Sequence, residues 1–123
     1  MRCLSVRQPF AELILSGEKR REYRSWRTSH RGPLLIHAGK EVDREALAES
    51  GLDADELPRG ALVGVVDVVG CRRLKGGFAW VLESPRRLPL PIAWRGQVGL
   101  FNVEPIHVLG LTPILQGDTD GEQ

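Results

Sequence analysis

Between Gly17 and Gly32 the chain reads GEKRREYRSWRTSHRG, and here residue types and spacing suit contact with a polyanion. Lys19, Arg20, Arg21, Arg24, Arg27 and Arg31 are opposed only by Glu18 and Glu22, with Tyr23, Trp26 and His30 set among them. Cations contact phosphates, and flat rings stack on unpaired bases at about 1–3 kcal/mol per stack. The combination suits a single-stranded or flipped-out nucleotide better than a helix that reads a groove. The same residues also describe a solvated basic hairpin with Trp26 packed as a core residue, and composition leaves the two readings level.

Lys19 and Glu22 carry the most reactive potential. A partly desolvated lysine can lose its proton and act as base or acid, whereas a neighbouring carboxylate favours its charged form. The alternative role of the pair is an ion pair that fixes the loop. His37 ends the run LLIHA and is a candidate proton shuttle, although a single histidine at a strand end is more often structural. Lys40 follows it as a candidate phosphate contact. Ser5, Arg7 and Gln8 form a first turn that could line the same pocket, with Gln8 either on a base edge or bracing the loop. Asp67 lies inside GVVDVVG, where a carboxylate needs a partner or must be neutral. Asp67 or Glu22 is therefore expected to pair with Arg24 or Lys19 under a cleft; the alternative for Asp67 is a position facing solvent. Trp80 is expected in the core and Trp94 at the surface beside Arg95.

The elements that must hold these residues follow from pattern. Arg2 to Val6 reads as a strand and Pro9 to Ser16 as a short helix, with proline in its first turn and Gly17 as its stop. Arg20 to Trp26 reads as an extended strand, alternation placing Arg20, Glu22, Arg24 and Trp26 on one face and Lys19, Arg21, Tyr23 and Ser25 on the other. Pro33 to Ala38 is a buried strand by composition. Asp43 caps a helix through Glu45 to Ser50 that Gly51 ends, and Leu52 to Arg59 is a loop. Gly60 to Leu74 is a valine-rich strand whose glycines predict a bulge or bend. Phe78 to Glu83 is another strand, after which Pro85, Pro89 and Pro91 mark an irregular or edge segment. Val98 to Val103 is a strand, Ile106 to Leu109 could extend the sheet, and Gln116 to Gln123 is polar, glycine-rich and expected to be disordered. Two short helices and five to seven strands predict an α+β fold, either a small mixed barrel or a strongly curved sheet.

The 123 residues suit one domain, and 41% apolar content suffices for one modest core. No window is apolar enough to span a bilayer, and the opening MRCLSVRQPF lacks a signal-peptide stretch, so a cytoplasmic protein with no membrane partner is expected. Cys3 and Cys71 lie far apart, and His30, His37 and His107 are scattered singly. A structural zinc site needs about four closely spaced ligands, so no metal and no cofactor are expected. Net charge is only +1, but residues 1–40 hold nine Lys/Arg against three Glu, and residues 41–70 hold two Arg against eight Asp/Glu. A basic N-terminal third can bind polyanions despite a neutral total, unless the two blocks neutralise each other across a shared surface.

The stretch LSVRQPFAELILSGEKRREYRSWRTSHRGPLLIHAG resembles the ASCH domain family. The family pattern is a Gln-Pro-Trp-Ala turn, a Gly-x-Lys-x-x-Glu-x-Arg-Ser-Trp run, an Arg-Gly turn and an apolar strand. This chain matches with Gln8, Pro9 and Ala11 around Phe10 in place of tryptophan, then Gly17, Lys19, Glu22, Arg24, Ser25, Trp26, Arg31 and Gly32. The later runs GALVGVVDVVGC and WVLESPRRLPLPIAWRGQVGLFNV resemble the family's later strands. The resemblance implies a PUA-like fold, a mixed β-barrel with short flanking helices, over residues 1–110, followed by a disordered tail at 111–123. It also implies a cleft beside the lysine loop that binds RNA or single-stranded DNA. Ser5, Arg7, Gln8, Lys19, Tyr23, Arg24, Ser25, Trp26, Arg27, Arg31 and Lys40 are the candidate contacts. Relatives include ribonucleases, for which Lys19, Glu22 and His37 are the catalytic candidates. A branch that hydrolyses N4-acetylcytidine places a threonine nucleophile where this chain has Glu22, which argues against that activity here. A metal-independent ribonuclease, or a site for a nucleoside or modified base, stays open as an alternative.

Overall fold

The computed structural model describes residues 1–104. Ile106 to Leu109 and the expected disordered tail lie outside the described residues. Strand β1 (Arg2–Gln8) leads through Pro9 into helix α1 (Phe10–Leu15), followed by β2 (Arg21–Arg24) and β3 (Gly32–Val42). Helix α2 (Arg44–Ser50) and a single 3₁₀ turn (Ala54–Glu56) precede the long hairpin β4 (Ala61–Leu74) and β5 (Gly77–Ala93), and β6 (Leu100–Asn102) ends the series. One six-stranded sheet results, in the order β2-β5-β4-β3-β1-β6. The β1–β3 pair is parallel and the others are antiparallel.

Alternation along β1 and β3 divides the core between the two sheet faces. Leu4, Val6, Leu34, Ile36 and Ala38 join one cluster, which Ala11, Ile14 and Leu15 of α1 cover and which contains Trp80. Cys3 and Leu35 join the other, with Leu62, Val65, Leu88, Phe101 and Val103. Helix α1 approaches β4 so closely that a Cβ on Gly64 would lie 2.5 Å from Leu15 Cδ2 and 2.6 Å from the Arg86 carbonyl oxygen. Only glycine fits there. The β4 ladder breaks register beside Gly64 and again beside Gly70, so the predicted bulges are present.

Helix α2 has the predicted ends: Asp43 accepts a hydrogen bond from the Ala46 amide, and Gly51 is left-handed with φ 75°. Two expectations need correction. Strand β5 does not stop at Glu83 but continues to Ala93 through Pro85, Pro89 and Pro91. Beyond Leu82 the edge of β5 opposite β4 has no strand partner among the described residues, since β2 pairs only with Phe78 to Val81. None of the three prolines occupies a paired position in the β4–β5 register, so their missing N–H groups interrupt no rung of that ladder. The predicted barrel is not closed by hydrogen bonds among the described residues. The sheet is mixed and open between edge strands β2 and β6, which are only four and three residues long.

Candidate nucleic-acid interface

The lysine loop is built by the end of α1. Gly17 takes φ 87°, its amide donates to the Ile14 carbonyl at 3.1 Å, and the Lys19 amide donates to the Leu13 carbonyl at 2.9 Å. These bonds satisfy the last helical carbonyls and turn the chain back. Lys19 therefore lies before β2 rather than within it. Its Nζ reaches 3.7 Å from Glu22 Oε1, 4.8 Å from the Tyr23 ring centroid and 5.5 Å from that of Phe10. Simple strand alternation had set Lys19 and Glu22 on opposite faces; the helix-terminal turn brings them together.

Glu22 is buried, and its carboxylate is divided between two cations. Oε1 faces Lys19, while Oε2 accepts from Arg24 Nε at 2.8 Å. Arg24 also donates from Nη2 to the Ser5 carbonyl at 2.8 Å, tying β2 to β1. Glu22 thus meets the expected partners. Asp67 does not, because it faces Arg86 at 3.1 Å on the neighbouring strand. Burial pushes the Lys19 ammonium below the ordinary lysine range of 10.5, against the upward pull of Glu22, and Arg24 adds to the lowering.

These groups line an open cleft of about 570 Å³ between the β1–α1 turn and β2, together with Arg7, Phe10, Ser25 and Trp26. Three cations, Arg7, Lys19 and Arg24, face one carboxylate there. Tyr23 is 59% exposed and presents its ring to solvent. Trp26 is half-buried: its ring stands edge-on to Trp80 at 4.7 Å and 85°, and its carbonyl accepts from Trp80 Nε1 at 3.3 Å. Trp26 is consequently a wall of the cleft with a packing role, and Tyr23, with Lys19 Nζ beside its ring, is the exposed one. Phe10, which was not among the candidate contacts, also lines the cleft; its place in the Gln8-Pro9-Phe10-Ala11 turn was the available signal.

The remaining candidates lie elsewhere. Gln8 is buried, donating to the Pro58 carbonyl at 2.9 Å and accepting from the Glu12 amide at 3.0 Å, so it braces the start of α1. Arg27 is exposed beyond β2, and Arg31 donates to the carbonyls of Thr28 and His30 within its own loop. His37 and Lys40 line a second cavity of about 1020 Å³, with Trp94, Arg95 and Gly96. His37 is 2% exposed, with Nε2 at 2.8 Å from the Trp94 carbonyl and Nδ1 at 2.8 Å from Ser5 Oγ. A carbonyl only accepts, so Nε2 carries the proton and neutral Nδ1 accepts from the serine hydroxyl. Ser5 stands between the cavities, its carbonyl turned to Arg24 and its hydroxyl to His37. Trp94 is half-buried against the second core cluster rather than fully at the surface.

The spaced residues Gly17, Lys19, Glu22, Arg24 and Trp26 thus form one interlocked unit, and the comparisons agree with their pattern. The ASCH domain family profile matches residues 4–107. This chain belongs to the ASCH domain family. It is 41% identical over 128 residues to the mouse protein activating signal cointegrator 1, a match covering 83% of this chain, and equally similar to the human protein of that name. The chain spans 22% of the length of those relatives. A solved ASCH structure from Zymomonas mobilis superposes with a TM-score of 0.64 at 12% identity, covering 94% of this chain and 96% of that one; at that identity the likeness concerns the fold. The ASCH family is associated with RNA binding.

Proposed function

We propose that this ASCH domain binds an unpaired RNA strand in the cleft beside Lys19. The observation that carries the reading is a cleft in which Lys19 and Arg24 share the single carboxylate of Glu22 while Arg7 adds a third cation to the lining, beside an exposed Tyr23 ring. Glu22 orients Lys19 and Arg24, and the Ser5 carbonyl also holds Arg24, leaving Lys19 donors for a phosphate, while Tyr23 offers a stacking face to a base. Among the described residues no helix is long and apolar enough to cross a membrane. The ribonuclease alternative is the weaker one, because His37 opens on the other cavity with both ring nitrogens engaged. Lys19 and Glu22 alone do not supply the separate base and acid that 2′-hydroxyl attack needs.

Fluorescence anisotropy with matched single- and double-stranded RNA and DNA at two salt concentrations tests the proposal. Unpaired RNA should bind most tightly, with log K falling against log salt at a slope of about −2 for three phosphate contacts at roughly 0.7 each. Tyr23→Ala should weaken binding by about 1–3 kcal/mol, and Lys19→Ala should also weaken it. Salt-insensitive binding, or preference for duplex, would overturn the reading.

A further inference from the structure

The hairpin joining β4 and β5 ends in the run Arg72-Arg73-Leu74-Lys75-Gly76-Gly77. No acidic residue occurs between Asp67 and Glu83, and Arg72, Arg73 and Lys75 are all exposed. None of the three forms an ion pair among the described residues. The register places this tip beside the cleft. Arg24 of β2 pairs with Phe78 of β5, and Phe78 pairs with Arg73 of β4. Directly paired residues share a face, so Arg24, Phe78 and Arg73 form one row across three strands. Neighbouring strands lie about 4.8 Å apart, which sets the two arginines roughly 10 Å from each other. The Arg73 guanidinium is 5.2 Å from the Phe78 ring centroid, which holds it in that row. Gly77 makes the approach possible: a Cβ there would lie 2.9 Å from the Arg24 carbonyl oxygen. Gly76, with φ 85°, completes the turn.

We propose that this hairpin tip is a second contact surface for the same ligand, on which Arg72, Arg73 and Lys75 hold the phosphates of the RNA strand as it leaves the cleft past Arg24 and Ser25. The proposal rests on the RNA reading above and extends it from a pocket for one or two nucleotides to a track that favours longer unpaired strands. The row explains why a tip without carboxylates is kept against the cleft wall, where its positive potential adds to that of Arg7, Lys19 and Arg24.

The test compares labelled oligouridylates of about four and about fifteen nucleotides, spanning the usual site sizes of single-strand binders. Wild type is compared with Lys19→Ala, with Arg72→Ala, Arg73→Ala and Lys75→Ala combined, and with Lys75→Glu alone. The triple variant should bind the long strand about tenfold or more weakly, with a salt slope shallower by about 2, and bind the short strand like wild type. Lys75→Glu, in the exposed turn, should reproduce part of the loss and keeps the test valid if the triple variant folds poorly by circular dichroism. Unchanged long-strand binding in folded tip variants, or an equal loss on both lengths, overturns the proposal and leaves the cleft reading standing. Loss in the tip variants with none in Lys19→Ala overturns the cleft reading instead, and failure of wild type to bind either strand overturns both.

Discussion

The two cavities that meet at Ser5 are built on opposite principles. The larger one, about 1020 Å³, contains the residue with the most familiar catalytic chemistry, yet His37 is 2% exposed and hydrogen-bonded at both ring nitrogens. Its imidazole already has the partners it needs, in Ser5 and the Trp94 carbonyl. The smaller cleft holds cations that are only partly compensated: Lys19 keeps 18% of its side chain exposed, above two aromatic rings and 3.7 Å from a carboxylate shared with Arg24. A buried polar group whose bonds are all made within the protein stabilises the fold, whereas partly desolvated charges with donors to spare are suited to a ligand. Neither cavity size nor residue type alone separates the two; hydrogen-bond satisfaction does.

The sharpest way to break this contrast is His37→Ala. Removing the ring leaves a cavity between the sheet and the Trp94 segment, with the Trp94 carbonyl lacking its donor and Ser5 Oγ lacking its acceptor. Stability should fall by about 2–4 kcal/mol in urea unfolding, while RNA affinity measured well below the melting temperature stays within a few-fold of wild type. A small stability change with large loss of binding would make His37 a ligand contact and erase the distinction. Gly96→Ala probes the same packing more gently. A Cβ there would lie 2.7 Å from both His37 Cε1 and Ser5 Oγ, so the Trp94 segment must shift, at about 1–2 kcal/mol of overpacking. A neutral Gly96→Ala would mean that the segment carries no constraint from His37.

How much of this was legible depended on sequence distance. Lys19, Glu22 and Arg24 fall within six residues, so their association was written in one short run. Helix α2 was equally local, because Asp43 and Gly51 mark its ends by chemistry that acts over a single turn. The continuation of β5 through Pro85, Pro89 and Pro91 was not legible: a proline is tolerated only where the strand's edge is unpartnered, and among the described residues that depends on β2 beginning only at Arg21, opposite Val81. The separation of His37 and Lys40 from the lysine cleft was hidden for the same reason. Ser5 and His37 sit side by side in the parallel β1–β3 register, so the serine hydroxyl turns away from the face that carries Glu22 and Trp80. The basic hairpin tip gained meaning only through the row Arg24–Phe78–Arg73, whose members lie up to 54 positions apart in sequence.

The smallest expected effect is also the most discriminating. Lys19→Met should change stability at neutral pH by less than about 1 kcal/mol, because burial of the ammonium opposes the attraction of Glu22. The pH dependence then tells which force wins. If burial holds the folded pKa below 10.5, the unfolded chain binds more protons than the folded one between those two values, and native stability rises with pH across that window. Below the folded pKa both states are protonated and the unfavourable contribution is constant. The stability of wild type relative to Lys19→Met should therefore be flat near neutral pH and climb as pH approaches 10.5; taking the difference cancels other groups that titrate alike in both proteins. A fall over the same range would mean that Glu22 dominates and Lys19 is a structural ion pair like those that hold the fold elsewhere. RNA affinity supplies the second arm: it should decline through the same window in wild type as Lys19 loses its charge, and Lys19→Met should lack that component of the decline.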